Sequence, residues 1–262
     1  MSGRMAGRVA FITGGGAGIG TAAAVMFAQE GAKVAVADIN REWGQRAVDA
    51  VKAAGGEAIF VHADVRDESS VNAAVGETVA RFGKLDTLFC SAGGSLPDDH
   101  PVTEVDLEAI WNRTMVLDLK GTMIACKAAM PKIIAAGGGS VVNMSSGAGL
   151  RGSNPAHVYT AAKGAIVSLT RTLAGTYAKH NIRVNCICAG RINTERVRKT
   201  YGMPGQPGSA PDRQNVTEQI KTYPFWVGEP EDVAAIALFL ASHESRMITG
   251  TAIAADGGRS SY

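Results

Sequence analysis

The sequence predicts a single α/β domain with a doubly wound (Rossmann) parallel sheet of about seven strands and helices on both faces. Short apolar runs alternate with amphipathic stretches, which is typical of parallel strands joined by helices. A glycine-rich turn joins the first apolar run to the first amphipathic stretch. The length of 262 residues suits one large domain, 1–262, better than two.

The elements follow each other with little ambiguity of type. The predicted strands are Arg8–Thr13, Lys33–Asp38, Ala58–His62, Leu85–Cys90, Gly139–Met144, Arg183–Cys188 and Thr251–Ala255. The predicted helices are Ile19–Glu30, Glu42–Ala54, Asp67–Phe82, Val105–Ala136, Val158–Lys179 and Pro230–Ala241. The pattern over Val105–Ala136 indicates two helices that meet near Asp118–Gly121. The connection at about 194–228 is irregular and holds four prolines, so we expect a substrate loop or lid there.

Composition excludes several classes of protein. Charged residues make up 19% of the chain and the net charge is +2, with no basic stripe of the kind that nucleic-acid binders carry. No apolar run is long enough for a membrane span, and the N-terminus has no signal core, so we expect a cytoplasmic protein. The spacing of Cys90, Cys126, Cys186 and Cys188 fits no metal or redox site, and we interpret them as core residues.

The turn from Thr13 to Gly20 predicts a dinucleotide site. Its glycines allow a pyrophosphate to approach the backbone, and the following helix start offers free N–H groups. Asp38 ends the second strand about twenty residues later, where a carboxylate can bond the adenosine ribose hydroxyls and repel a 2′-phosphate. NAD is therefore favoured over NADP, although Arg41 lies close and Asp38 could instead cap the next helix.

A second constellation predicts acid/base chemistry. Tyr159 and Lys163 are four residues apart on one helix, so they lie on the same face, and a nearby cation favours the phenolate. The preceding predicted strand leads into Ser146, which can hydrogen-bond the same substrate oxygen as Tyr159. A tyrosine poised in this way can exchange a proton with a carbinol oxygen.

These motifs together resemble the short-chain dehydrogenase/reductase family in its common single-domain form, over essentially the whole chain. The motifs in question are Thr13–Gly20, Asp64-Val65, the serine strand that ends at Ser146, Tyr159 with Lys163, Arg183-Val184-Asn185, Ala189–Thr194 and Asp256-Gly257-Gly258.

The resemblance implies an NAD-dependent dehydrogenase or ketoreductase that acts on a secondary alcohol or ketone, and usually a homotetramer. It implies that Tyr159 is the general acid/base, that Lys163 holds the nicotinamide ribose, and that Ser146 polarises the substrate oxygen. The implied cofactor-binding residues are Gly14, Ala17, Gly18, Ile19, Gly20, Asp38, Ile39, Asp64, Val65, Ser91, Ala92, Gly93, Tyr159, Lys163, Gly190, Ile192 and Thr194.

Three positions depart from the family pattern. Cys90–Gly93 replaces the family's NNAG, and Ala189 replaces a proline; we expect modest effects from both. Asp118 replaces the family's fourth catalytic residue, an asparagine whose main-chain carbonyl holds a water next to the lysine. A carboxylate there would raise the pKa of Lys163, so we expect activity with a shifted pH profile.

Substrate identity is less well defined by the sequence. Arg151, Arg191 and His157 lie near the catalytic motifs, and the arginines could bind an anionic group, although the interpretation that most of them face water is favoured. His157 could equally be structural. The alternatives left open are epimerase or dehydratase chemistry, enoyl reduction, and an NAD-binding scaffold or sensor with impaired catalysis. No metal is expected.

Overall fold

The computed structural model describes residues 3–152, 154–202 and 223–261. Seven strands form one parallel sheet, namely β1 (Val9–Thr13), β2 (Lys33–Asp38), β3 (Glu57–His62), β4 (Thr87–Cys90), β5 (Gly139–Ser146), β6 (Ile182–Ala189) and β9 (Ala252–Ala255). Their order in the sheet is β3-β2-β1-β4-β5-β6-β9. The predicted fold class and all seven strands are confirmed.

Eight helices lie in the described part of the chain. They are α1 (Gly18–Gln29), α2 (Arg41–Ala53), α3 (Glu68–Phe82), α4 (Leu107–Thr114), α5 (Gly121–Ala135), α6 (His157–Tyr177), α7 (Glu195–Tyr201) and α8 (Pro230–Ala241). The predicted break in the long mid-chain pattern is a π-helical segment, Met115–Lys120, that joins α4 to α5. Wider turns of this kind often occur at functional sites.

The sheet is apolar on both faces because helices cover both. Along β1, Ala10 and Ile12 belong to the core under α1, α2 and α8, whereas Val9 and Phe11 belong to the core under α3 and α5. Alternate side chains of a strand point to opposite faces, so one strand contributes to both layers. All four cysteines are buried and free, as expected of core residues.

The predicted irregular segment holds more regular structure than the sequence indicated. Helix α7 and a two-stranded sheet of β7 (Arg191–Ile192) and β8 (Val227–Gly228) lie within or beside it. Most of the expected loop, residues 203–222, lies outside the described residues. Among the described helices, none is long and apolar enough to cross a membrane.

The strand order reverses between β1 and β4, and there the carboxyl ends of the strands open into a crevice. Ligands of open α/β sheets bind at this kind of switch point. The turns after β1 and β4 meet there closely, since a Cβ added to Gly14 would lie 2.8 Å from the Cα of Ala92. The fold therefore brings the two glycine-rich turns to one end of the sheet.

Candidate active site

The turn after β1 is shaped to receive an anion. Gly14 and Gly18 have positive φ angles of 61° and 51°, and a Cβ at Gly20 would lie 2.1 Å from the Gly14 carbonyl oxygen. Helix α1 starts at Gly18 after Ala17, with no side-chain cap and no acidic residue in its first turn. No side chain therefore caps the N-terminus of this helix, where the exposed ends of the N–H groups favour an anion such as a pyrophosphate.

Asp38 lies at the edge of this turn. One of its carboxylate oxygens accepts a hydrogen bond from the Gly16 N–H (2.9 Å), and the other accepts one from the Asn40 N–H (2.9 Å). The side chain of the next residue, Ile39, is 52% exposed. Asn40, not Asp38, caps α2 through the Trp43 N–H, so the carboxylate faces the glycine turn and does not serve as a helix cap.

The ends of β3 and β4 complete the floor of the crevice. Asp64 forms two short contacts with Arg66, and the hydrogen bond from Arg66 lowers the pKa of this carboxyl despite the opposing effect of burial. Val65 is buried against Gly121. After β4, the main-chain N–H groups of Ser91 and Ala92 donate to the carbonyl and the hydroxyl of Thr13, so the two turns are joined directly.

Lys163 is held in a buried ion pair behind the crevice. Its Nζ lies 2.8 Å from Asp118 Oδ1, 3.1 Å from the Met144 carbonyl oxygen and 5.5 Å from the centre of the Tyr159 ring. Lys163 is 3% exposed and Asp118 is fully buried. The structure therefore brings Tyr159, Lys163 and Asp118 together, with a direct contact between the ammonium and the carboxylate.

The carboxylate of Asp118 has a second contact and an open side. Oδ1 also accepts a hydrogen bond from the Gly94 N–H (3.0 Å), while the buried Oδ2 has no hydrogen-bond partner among the described residues. The main-chain carbonyl of Asp118 accepts a bond from the Thr122 hydroxyl (2.7 Å). The pair is therefore anchored both to the turn after β4 and to the start of α5.

The charge of Asp118 controls the protonation of Lys163. Burial lowers the pKa of the lysine, but the charges of Asp118 and Tyr159 and the hydrogen bond to Asp118 outweigh burial and raise it overall. The direction agrees with the expectation from the sequence. Lys163 consequently carries its charge throughout the neutral range, close to the Tyr159 ring.

Ser146 lies at the end of β5, opposite Ala189 at the end of β6. Its Oγ accepts a hydrogen bond from the Ala148 N–H (3.1 Å) and donates a long one to the Ala189 carbonyl (3.4 Å). The neighbouring Ser145 is buried and donates to the carbonyl of Lys163 (2.7 Å), which fixes α6 against the sheet.

Asp99 is a buried residue that the sequence analysis missed. One of its oxygens accepts the N–H of Tyr159 (2.7 Å) and the other accepts the N–H of Val158 (3.2 Å), so it caps the N-terminus of α6 across 60 residues of chain. Helix α6 has no side-chain cap of its own at Ala156. The missing local cap was the only signal in the sequence, and it could not identify the distant residue that accepts the N–H groups of the helix.

His157 contacts the segment between β4 and α4, which also contains Asp99. Its Nδ1 accepts a hydrogen bond from the Val102 N–H (3.0 Å), and the residue does not belong to the lining of the cavity over Tyr159. The structure therefore places His157 away from the expected substrate position. Its contact ties the segment between β4 and α4 to the first turn of α6.

A cavity of about 250 Å³ lies at the carboxyl end of the sheet. Its lining includes Ser146, Tyr159 and Ile192, together with Arg151 and Arg191. Two of the expected cofactor-binding residues lie close to this cavity. The Gly190 N–H donates to the Ala255 carbonyl, and Thr194 caps α7 and packs against Gly18. No group of metal-ligating side chains occurs in the described part of the chain.

Comparisons with known proteins agree with this geometry. A family model described as enoyl-(acyl carrier protein) reductase matches residues 14–260. The chain is 37% identical to the 2,5-dichloro-2,5-cyclohexadiene-1,4-diol dehydrogenase LinX of Sphingobium indicum over 98% of both chains. It is 34% identical to the cyclohexanol dehydrogenase of an Acinetobacter species, over all of this chain and 98% of the relative.

A solved structure shows the same architecture with a cofactor bound. The short-chain dehydrogenase from Mycobacterium paratuberculosis bound to NAD superposes with a TM-score of 0.86 at 32% identity, over 99% of this chain and 100% of that one. The fold, the motifs and the relatives together define a class of oxidoreductases. The chain belongs to the short-chain dehydrogenase/reductase family.

Proposed function

We propose that the protein is an NAD-dependent oxidoreductase that transfers a hydride between the nicotinamide and a small secondary alcohol or ketone, with Tyr159 as general acid/base. The observation that carries the proposal is the position of Tyr159, which lines the cavity with Ser146 while the buried Lys163 ammonium lies 5.5 Å from its ring. Relatives named as alcohol dehydrogenases support the same class of substrate.

The residues have separate roles in this proposal. NAD, when bound, supplies the hydride acceptor. In oxidation, Tyr159 removes the proton from the carbinol oxygen. Ser146 exchanges its long bond to Ala189 for a bond to the same oxygen. Lys163 stabilises the phenolate through its charge and would hold the nicotinamide ribose. Asp118 acts through Lys163 and is a positioning residue, although its sequence position matches the family's fourth catalytic residue.

The proposed cofactor site follows the two glycine-rich turns. The uncapped start of α1, from Gly18 to Gly20, would bind the pyrophosphate, and Asp38 would accept the adenosine ribose hydroxyls. Because the Asp38 carboxylate already faces the turn, a 2′-phosphate would meet a negative charge. We therefore propose NAD over NADP, which a comparison of kcat/KM with the two cofactors tests directly.

The decisive experiment measures NADH formation from a panel of secondary alcohols, and NADH consumption with the matching ketones. We expect Tyr159→Phe to lower kcat at least 100-fold with cofactor binding retained, in line with the usual contribution of general acid/base catalysis, about 10²–10⁴-fold. Tyr177→Phe, at the far end of α6, is the matched control and should leave kcat unchanged. Full activity in Tyr159→Phe would refute the assignment.

Two other functions have observations in their favour. The direct contact of Asp118 with Lys163 would reduce the stabilisation that the ammonium gives to a phenolate on Tyr159. Such a loss is compatible with an NAD-binding scaffold that has no turnover. The description of the matching family model names an enoyl reductase. Tight NAD binding with no turnover of any alcohol, ketone or enoyl thioester would favour the scaffold, and reduction of crotonyl-CoA alone would favour the enoyl reductase.

We also propose that the protein assembles as a homotetramer through the long helices α5 and α6. An apolar groove between these helices is lined by Met130, Ile134, Leu169 and Leu173, and Met123 beside it is 49% exposed. Light scattering coupled to size exclusion gives the mass. A charge introduced by Leu169→Glu should dissociate the assembly, and a wild-type monomer would overturn this part of the proposal.

A further inference from the structure

Among the described residues that line the cavity with Ser146 and Tyr159, positively charged side chains outnumber negatively charged ones. Four arginines line it, namely Arg151, Arg191, Arg196 and Arg259. In the described part of the lining the one carboxylate is Asp99, and both of its oxygens already accept main-chain N–H groups of α6. The charge of Lys163 is balanced separately by Asp118. A concave site lined by charges of one sign concentrates ligands of the opposite sign.

The arginines come from four different parts of the chain and are held in place. Arg259 is 4% exposed, and its guanidinium carbon lies 3.6 Å from the centre of the Trp226 ring. Arg191 donates from Nη2 to the Gly202 carbonyl (2.9 Å), and its buried Nε has no acceptor among the described residues. Arg196, at the exposed rim, donates to the Ser95 carbonyl (3.2 Å).

Fixed guanidinium groups are suited to one kind of ligand. Their planar N–H edges match the two oxygens of a carboxylate, and a buried N–H without an acceptor costs free energy until one arrives. Surface arginines that merely face water would not converge from the ends of β5 and β6, from α7 and from the C-terminal segment on a single cavity. The cavity, at about 250 Å³, is smaller than most drug-sized sites, which start near about 300 Å³.

We propose that this cavity binds a carboxylate group of the substrate, with Arg191 and Arg259 as its principal ligands, so that the substrate class is a small hydroxy acid or oxo acid. The proposal rests on the proposed function, because Ser146 and Tyr159 supply the reacting end of the same cavity. The carboxylate binds at the arginines while the carbinol or carbonyl group lies at Tyr159. A neutral alcohol fills only the reacting end.

The test separates charge from shape. Cyclohexanecarboxylate and cyclohexanecarboxamide, which have nearly the same shape, are titrated calorimetrically into the protein with and without NADH. We expect the carboxylate to bind at least tenfold more tightly than the carboxamide, with a preference that falls as salt is added. Arg191→Gln and Arg259→Gln should each reduce that preference at least threefold.

The matched control is Arg198→Gln. Arg198 lies on the same helix as Arg196, is exposed, donates to Asn193 and does not line the cavity, so its removal should leave the preference unchanged. Thermal melts establish that each variant is folded, and the two cavity variants test the site independently. Equal affinity for the two probes, no binding of either, or a preference that survives in both cavity variants would overturn the proposal.

The binding experiment also stands apart from turnover. If no alcohol or ketone is converted but the carboxylate still binds through Arg191 and Arg259, the proposed function fails and the anion site stands. If cyclohexanol is oxidised efficiently while a matched hydroxycyclohexanecarboxylate gains no advantage in KM and the probes bind equally, the oxidoreductase stands and the anion site fails.

Discussion

Replacing Asp118 with asparagine removes one charge from the buried pair with little change in shape. The asparagine can still accept the Lys163 ammonium and the Gly94 N–H through its carbonyl oxygen, so the geometry around the lysine should persist. The substitution removes the negative charge next to the Lys163 ammonium. In the wild type the carboxylate balances the Lys163 charge, and a phenolate on Tyr159 gains less from that charge than it would alone.

The size of the effect follows from two distances. Asp118 Oδ1 lies 2.8 Å from the Lys163 Nζ, which lies 5.5 Å from the centre of the Tyr159 ring. The carboxylate is therefore at most about 8 Å from that centre, and two unit charges about 8 Å apart interact by about 2 kcal/mol at an effective dielectric constant of about 20. That energy corresponds to about 1.5 pH units.

The assay is the dependence of kcat/KM on pH for alcohol oxidation. Removal of the negative charge favours the phenolate, so the pH of half-maximal kcat/KM should fall by about 1 to 1.5 units in Asp118→Asn. The pKa of Lys163 also falls, because Asp118 contributes to raising it, while the Met144 carbonyl and a phenolate on Tyr159 remain to favour the ammonium form.

Asp86 provides the matched control for this variant. It is also a buried carboxylate with an ion-paired lysine, Lys84, but it lies at the start of β4, at the opposite end of the strand from the crevice. Asp86→Asn should cost stability and leave the pH profile in place. An unchanged profile in Asp118→Asn, or a shift to higher pH, would show that the carboxylate does not act on the proton transfer through Lys163.

Three further substitutions test the rest of the site. Asp38→Ser should improve kcat/KM with NADP relative to NAD at least tenfold, because the charge facing the ribose is lost. Asp99→Ala should lower the free energy of unfolding by about 1–3 kcal/mol, since one buried and one partly buried N–H group of α6 lose their acceptor, and it should lower kcat more than it raises KM. Gly93→Ala should lower kcat at least tenfold, because the new Cβ would lie 2.4 Å from Asp118 Oδ1 at a φ of 144°.

For each of these variants, one outcome would contradict the role proposed for the residue. Cofactor preference that stays with NAD in Asp38→Ser would remove the discriminating role of that carboxylate. Asp99→Asn, which keeps an acceptor oxygen, should restore most of the lost kcat, and an equal loss in both variants would show that the capping contact is irrelevant. Gly76→Ala, in a position where a Cβ meets nothing within 4 Å, is the control for Gly93→Ala and should be harmless.

The strands could be predicted because local signals agreed with the fold. Each one is a short apolar run closed by a turn, and the parallel order buries both faces, so alternation of polarity was not needed to identify them. The π-helical segment was anticipated only as a break near Asp118–Gly121. Helix α7 was missed because it is short, highly charged and buries no residue, which leaves no periodic apolar signal.

Some residues of the site could be predicted from their spacing in the sequence, and others only from the folded structure. Tyr159 and Lys163 converge because four residues separate them on one helix, which is a local rule. Asp99 caps that helix from 60 residues away, and Arg259 joins the cavity from the end of the chain, so both depend on how loops close over the sheet. Sequence spacing contains no information of that kind.

Asp118 needed both the sequence and the structure to be understood. The sequence identified an aspartate where the family has an asparagine, but only the structure shows that its carboxylate bridges the ammonium of Lys163 and the N–H of Gly94. An asparagine could make both contacts without a charge, so the aspartate changes the electrostatics of the site and preserves its geometry. Since arginines line the same cavity as Tyr159 and Lys163 is balanced by Asp118, the positive charge offered to a substrate comes from the arginines. An anionic substrate would thus be drawn to the arginines and not to Lys163, which leaves the reacting carbon free to face the tyrosine.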